Sequence, residues 1–146
     1  VKDIEFQFNV GGENKKNSSS KPLKNWKFES EERVWGSFFN LFDSKDVKVK
    51  ELIIKPKKGM SFQRHQKRNE IWLVSKGSCE VFYSKDNPNS KLKKTLNKFD
   101  KLVISKGDWH QIVNPFDKDC HIIEIQYGDS VIEEDIERLS LYKENS

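Results

Sequence analysis

Apolar and polar residues alternate along this chain in short runs, and turn residues interrupt nearly all of them. The clearest run is residues 4–10, Ile-Glu-Phe-Gln-Phe-Asn-Val; residues 37–42, 47–54, 61–65, 70–74, 78–84, 92–96, 101–105, 110–114 and 120–127 are further short strand-like runs. A period of two sends successive side chains to opposite faces of a strand. The breaks carry turn chemistry: residues 56–59, Ser75-Lys76-Gly77, the Asn-Pro-Asn within residues 85–90, and Lys106-Gly107-Asp108. Many short strands with close turns, and no amphipathic helices between them, indicate an all-β sandwich or barrel and exclude a parallel α/β sheet. Closing the sheets into a barrel hides their edges and leaves an internal cavity. Only residues 132–141 carry a helical spacing (Ile132, Ile136, Leu139), so a short C-terminal helical tail is expected.

The 146 residues suffice for one domain with its own core. The chain is polar, at 34% hydrophobic and 34% charged, but ten Phe and four Trp compensate because each large aromatic buries so much area. Residues 11–22 contain no apolar side chain and read as a flexible loop after a first strand at residues 4–10. Residues 1–30 are therefore expected as an N-terminal strand and polar loop, and residues 31–146 as the barrel.

The net charge of +4 comes from lysines spread among 23 acids, a solvated surface rather than the concentrated basic stripe of a nucleic-acid binder. Two cysteines, Cys79 and Cys120, without a CxxC, build neither a disulfide framework nor a thiolate zinc site. The first ten residues do not resemble a signal peptide, and no apolar run approaches the ~20 residues needed to span a membrane. The expected compartment is the cytoplasm.

Chemistry concentrates in two places. Gln63 and His65 are two apart and share a strand face; Glu70, Trp72 and Val74 share another; His110 shares a third with Ile112 and Asn114. If those faces line one interior, an amide oxygen, a carboxylate and two imidazoles converge. That N/O set suits zinc, and also iron, manganese, cobalt or nickel. Each residue also has a plainer reading: a hydrogen-bonded strand histidine, a surface acid at Glu70 beside Arg68, an ordinary polar strand residue at 63.

The stretch PKKGMSFQRHQKRNEIWLVSKG, residues 56–77, resembles the first cupin motif, and DKLVISKGDWHQIVN, residues 100–114, resembles the second. More narrowly, the chain resembles the C-terminal cupin of type II mannose-6-phosphate isomerases, which in bifunctional enzymes follows a mannose-1-phosphate guanylyltransferase. The family's Arg-Pro-Trp-Gly is here Arg33-Val34-Trp35-Gly36. Its Gln-x-His-x-x-Arg-x-Glu-His-Trp is met by Gln63, His65, Arg68, Glu70, Ile71 and Trp72. Its Asn-Pro is Asn114-Pro115, its Glu-x-Gln strand before Gly is Glu124, Gln126 and Gly128, and its acidic stretch is residues 133–138. The match runs from about residue 31 to 140.

The resemblance implies a cupin double-stranded β-helix, a jelly-roll barrel, holding one divalent metal ion on Gln63, His65, Glu70 and His110, with zinc first among the metals. It implies interconversion of mannose 6-phosphate and fructose 6-phosphate, or of a related sugar, with Arg68 as the catalytic or substrate-contacting arginine. Lys67 and Lys101 are further expected phosphate contacts, and His121 is expected to be structural. Departures are Ile71 and Gln111, which replace polar residues of the family, and Lys57, Phe99 and Ser105, which replace turn residues, two of them glycines. Another metal-dependent cupin enzyme (an oxygenase or sugar-modifying enzyme) and a non-catalytic sugar-binding cupin are the competing classes. A guanylyltransferase half is not expected in so short a chain. The expected partners are a small sugar phosphate, no nucleic acid, no membrane, and a second copy, since cupins often pair through their sheets.

Overall fold

The computed structural model describes residues 29–143. The strand expected at residues 4–10 and the loop at residues 11–22 lie outside the described residues. Among the described residues, twelve strands form two antiparallel sheets. The first has the order β1 (Ser30–Arg33), β2 (Gly36–Asp43), β3 (Val47–Ile54), β11 (Cys120–Gly128), β6 (Arg68–Lys76), β9 (Lys101–Ile104). The second has the order β12 (Glu137–Ser140), β5 (Phe62–Arg64), β10 (Trp109–Asn114), β7 (Cys79–Ser84), β8 (Leu92–Leu96), with β4 (Lys58–Gly59) paired to β10. The chain passes repeatedly from one sheet to the other, as a jelly-roll requires.

Alternation decides which side chains meet between the layers. Along β6, Arg68, Glu70, Trp72 and Val74 are buried while their neighbours are half-exposed. Along β11, Cys120, Ile122, Glu124 and Gln126 point inward. One end of the barrel is apolar: Leu52, Ile54, Trp72, Val74, Val81, Leu96, Ile112 and Ile122 form its core. Each such side chain contributes ~1.5–3 kcal/mol on full burial. The other end carries the polar members of the same strand faces, so the inner faces change from apolar to polar along the barrel. The exposed edge strand β8 reads Leu-Lys-Lys-Thr-Leu, and its lysines discourage further pairing.

The helical tail is corrected. Among the described residues there is no helix, and none long and apolar enough to cross a membrane. Residues 137–140 form β12, which pairs with β5. The spacing of Ile132, Ile136 and Leu139 does not make a buried stripe; Ile132 and Leu139 are about half exposed, at 49% and 53%. A strand edge on β5 satisfies the backbone of a segment too short to hold a helix by itself.

Two of the turn departures are instructive. Among the described residues, Lys57 and Phe99 are the non-glycine residues with positive φ, at 62° and 74°. Those are the positions where the resembled family carries glycine. The left-handed turns persist without it, with the side chains bearing the strain.

Candidate metal centre and cavity

At the polar end, His65, Glu70 and His110 bring their side-chain ligand atoms within 4.8 Å of one another, and all three are buried. The two sheets supply them jointly. His65 follows β5 and His110 sits on β10, in the second sheet, whereas Glu70 comes from β6 in the first. His65 Nε2 is 3.3 Å from Glu70 Oε2, and His110 Nε2 is 3.7 Å from Glu70 Oε1. Gln63 stands directly opposite His110 in the β5–β10 pair, and its Oε1 accepts a hydrogen bond from Ser61 at 2.7 Å.

The tautomers follow from the partners. His65 Nδ1 is 2.7 Å from the Asp135 carbonyl and His110 Nδ1 is 2.9 Å from the Asp108 carbonyl. A carbonyl only accepts, so each Nδ1 carries the proton and each Nε2 keeps a lone pair. His110 Nε2 is buried with no hydrogen-bond partner. A buried nitrogen without a partner is costly, and its lone pair faces a carboxylate that cannot satisfy it. This is the donor pattern that a divalent cation satisfies: neutral imidazoles aimed by backbone carbonyls, plus a carboxylate.

Arg68 ties this group to a cavity of about 460 Å³, within the range of small-molecule sites. It is buried, donates from Nε to Glu70 Oε2 at 3.0 Å, and lies with Nη2 3.3 Å from His65 Nε2. It is therefore an interior partner of Glu70, not an exposed one. Gln63 lines the same cavity. Lys67 and Lys101 do not. Both are exposed: Lys67 sits in the bend before β6, and Lys101 faces away from the barrel on β9. The structure thus joins His65, Glu70, His110, Gln63 and Arg68 and leaves these two lysines outside.

The cavity floor holds residues to which sequence reasoning assigned no role. Lys50 is 5% exposed, and its ammonium lies 2.9 Å from Glu133 and 4.2 Å from the centre of the Phe38 ring. Glu124 accepts from Trp72 Nε1 at 3.2 Å and from Gln126 Nε2 at 2.7 Å, leaving Gln126 Oε1 buried and unpartnered. Glu124 and Gln126 were visible as a family pattern, but nothing in one strand says which face turns inward. The two chemical departures lie away from the cavity. Ile71 is on the opposite face of β6 from Glu70, and Gln111 donates its amide to the Met60 carbonyl at 2.8 Å. His121 pairs with Glu51 at 3.1 Å, also outside.

Burial dominates the ionisation. It holds His65 down to about 4, helped by His110 and Arg68, and holds His110 down to about 4 as well. Burial and the neighbouring Glu70 charge push Glu124 up to about 7. For Glu133, burial pushes upward, but Lys50 and Lys48 prevail and bring it to about 2.

These shifts predict the pH dependence of the metal-free protein. Unfolded histidines bind a proton below about 6.5, the two folded ones only below about 4, so unfolding takes up two protons between those values. Glu124 opposes this: unfolded it loses its proton above 4.5, folded it keeps it to about 7. The balance is one proton taken up on unfolding, so stability rises from pH 4.5 to 6.5 by about 1.4 kcal/mol per unit. Urea unfolding with a chelator present measures this, and Glu124→Gln should steepen the rise towards twice that slope. A flat or falling profile would contradict the assignment.

The family profile described as mannose-6-phosphate isomerase C-terminal matches residues 23–141. The chain belongs to that family. Mannose-1-phosphate guanylyltransferase 2 of Escherichia coli O157:H7 is 30% identical over 106 residues, covering 73% of this chain and 21% of that protein. The chain thus spans about a fifth of the length of the curated relatives it matches. The capsular polysaccharide assembling protein CapF of Staphylococcus aureus superposes with a TM-score of 0.67 at 21% identity, over 77% of this chain and 34% of that one. A sugar phosphate isomerase from a cupin superfamily, from Silicibacter pomeroyi, superposes at 0.57 and 14% identity, over 68% and 71%. These likenesses show the cupin fold, as the motifs implied.

Proposed function

We propose that the chain is a metal-dependent aldose–ketose isomerase that interconverts mannose 6-phosphate and fructose 6-phosphate or a closely related pair. The reading rests on one observation above the others: His65 and His110, each aimed by a carbonyl, turn unprotonated Nε2 atoms towards Glu70 beside a small-molecule cavity. Gln63, His65, Glu70 and His110 would hold the ion, zinc first. When bound, the ion supplies Lewis acidity that polarises a sugar carbonyl.

The chain's own residues do the rest. Isomerisation moves a proton between C1 and C2, which needs an acid–base group within reach of both carbons. Glu124 suits this role: it lines the cavity, and among the described residues it forms no direct ion pair, whereas Glu133 is held by Lys50 and Glu70 by Arg68. Arg68 reaches both the His65–Glu70 group and the cavity, and stabilises negative charge that develops on the substrate. Membership of the isomerase C-terminal family supports the reaction class, and neither Ile71 nor Gln111 lines the cavity.

The test is conversion of mannose 6-phosphate to fructose 6-phosphate by the purified chain, with zinc, manganese and cobalt added separately. Turnover that disappears with chelator and returns with one of these ions is expected. Stoichiometric metal without turnover on any hexose 6-phosphate would eliminate the isomerase in favour of a binding cupin.

A further inference from the structure

Four cationic side chains line the cavity among the described residues: Arg33, Lys50, Arg68 and Arg138. Three are already matched with carboxylates. Arg33 pairs with Glu31 at 2.8 Å, Lys50 with Glu133 at 2.9 Å and Arg68 with Glu70 at 3.0 Å. Arg138 has no ion pair or hydrogen bond from its guanidinium to any described residue, although its strand is rich in polar neighbours. We propose that Arg138 is the anion anchor of this cavity and holds the phosphate of a sugar phosphate. The assignment deepens the reading above and depends on it for the identity of the ligand.

Register places the residue. On β12, Arg138 lies directly opposite Gln63 of β5, and Glu137 lies opposite Arg64. Directly opposed residues of an antiparallel pair share a face, with Cα atoms roughly 5 Å apart. Glu137 and Arg64 form an ion pair at 2.9 Å, and the Arg64 guanidinium stacks over Trp109 at 4.6 Å, so that pair takes the outer face. Arg138 and Gln63 share the face that lines the cavity. The guanidinium is thus next to the residue that starts the candidate metal set, yet β12 is exposed and keeps it at the mouth.

That position suits a phosphate. A solvated guanidinium at the rim meets the anion without being buried alone beforehand, and its planar fork matches two phosphate oxygens. The interior offers complementary groups for hydroxyls: the unpartnered Gln126 Oε1 and the Glu124 carboxyl. A sugar phosphate would enter with its carbon chain inward and its charge at Arg138. This also explains why Lys67 and Lys101, on other surfaces, are not needed.

The experiment is titration calorimetry on the full zinc-loaded chain, with mannose 6-phosphate, inorganic phosphate and mannose as separate probes. Arg138→Gln should weaken mannose 6-phosphate and inorganic phosphate by about 10- to 100-fold, the loss of a charge-assisted hydrogen bond. It should leave zinc content and any mannose binding unchanged. Arg138→Lys should recover part of the loss, and Lys67→Ala and Lys101→Ala should show none. Unchanged phosphate affinity in Arg138→Gln, equal weakening of mannose, or no binding of either phosphate probe by the wild type would overturn the anchor. The two readings fail separately. Binding of mannose 6-phosphate through Arg138 without turnover removes the isomerase and keeps the anchor. Turnover with KM unaffected by Arg138→Gln does the reverse.

Discussion

His110→Ala is expected to leave the chain without stoichiometric metal and without metal-dependent activity. His110 is 2% exposed, its Nδ1 is committed to the Asp108 carbonyl, and its ring packs edge-on against Trp72 at 5.5 Å. Its Nε2 has no partner, so the residue is aimed with precision at a point where the protein offers nothing. Loss of a group that only orients a ligand typically costs 10–100-fold in metal affinity, so loss of a ligand should cost at least about 100-fold. Two measurements separate this from simple unfolding. Elemental analysis reads the metal directly. Thermal unfolding with and without zinc reads its linkage to folding, because an ion that binds only the native state raises the melting temperature. The wild type should gain several degrees with zinc and His110→Ala none. The metal-free variant should still fold but unfold below the metal-free wild type, because deleting an unsatisfied nitrogen offsets only part of the packing lost. Gln63→Ala should show a smaller loss of the same kind, since Gln63 Oε1 already accepts from Ser61. Wild-type zinc stoichiometry in His110→Ala would remove the ligand assignment.

How much of this was legible beforehand depended on whether a local pattern or a partner decided the outcome. Short strand-like runs bounded by turn residues, such as Val47–Ile54 and Leu92–Leu96, form strands where the sequence places them. Face-sharing made the convergence of His65, Glu70 and His110 conditional, and the family motif supplied the set; Glu70 and His110 sit on strands whose inward faces carry Trp72 and Ile112, and His65 follows β5 directly. Lys50 was not legible. Its strand alternates Val47 and Val49 against Lys48 and Lys50, yet the lysine face turns inward, because Leu52 and Ile54 share it and Glu133 waits across the cavity. The pairing partner lies more than eighty residues away, and no local signal reports it. The places of Lys67 and Lys101 outside the cavity have the same reason. Lys67 and Lys101 are near the motifs in sequence, but proximity along a strand bend says nothing about which side of the barrel a side chain takes. The tail failed for a related reason: a weak helical spacing lost to the open edge of β5. Lys57 and Phe99 show the converse, a turn geometry that survives loss of its glycine because the strands on either side dictate it.

Gly36→Ala is expected to be among the most damaging single-methyl additions in this protein. The family motif Arg33-Val34-Trp35-Gly36 offers no obvious chemistry at its last position, and the structure supplies an architectural reason. Gly36 has φ +150°, and a Cβ there would sit 1.9 Å from the Ile53 carbonyl oxygen and 3.0 Å from its carbon. The obstacle is backbone near the end of β3, not a side chain that can rotate aside. Gly36 pairs with Ile54 across β2–β3 and with Arg33 across the β1–β2 turn, and the Trp35 carbonyl accepts from Lys55 N at 2.9 Å. Relief would require β2 to lift from β3, taking with it Phe38 and Trp35, whose stacked rings wall the cavity. Backbone strain and overpacking each cost ~1–3 kcal/mol, so a loss of about 3–5 kcal/mol is expected. That corresponds to a fall in Tm on the order of 10 °C. Gly107→Ala provides the control. It too has positive φ, +81°, but a Cβ there meets nothing within 4 Å, so only strain applies and the loss should be about 1–2 kcal/mol. Equal losses at the two positions would mean that close approach of β2 to β3 does not hold this wall. A much larger loss at 36 would make the glycine the reason the cavity has its wall in the right place, and would separate the motif's structural part from the charge carried by Arg33.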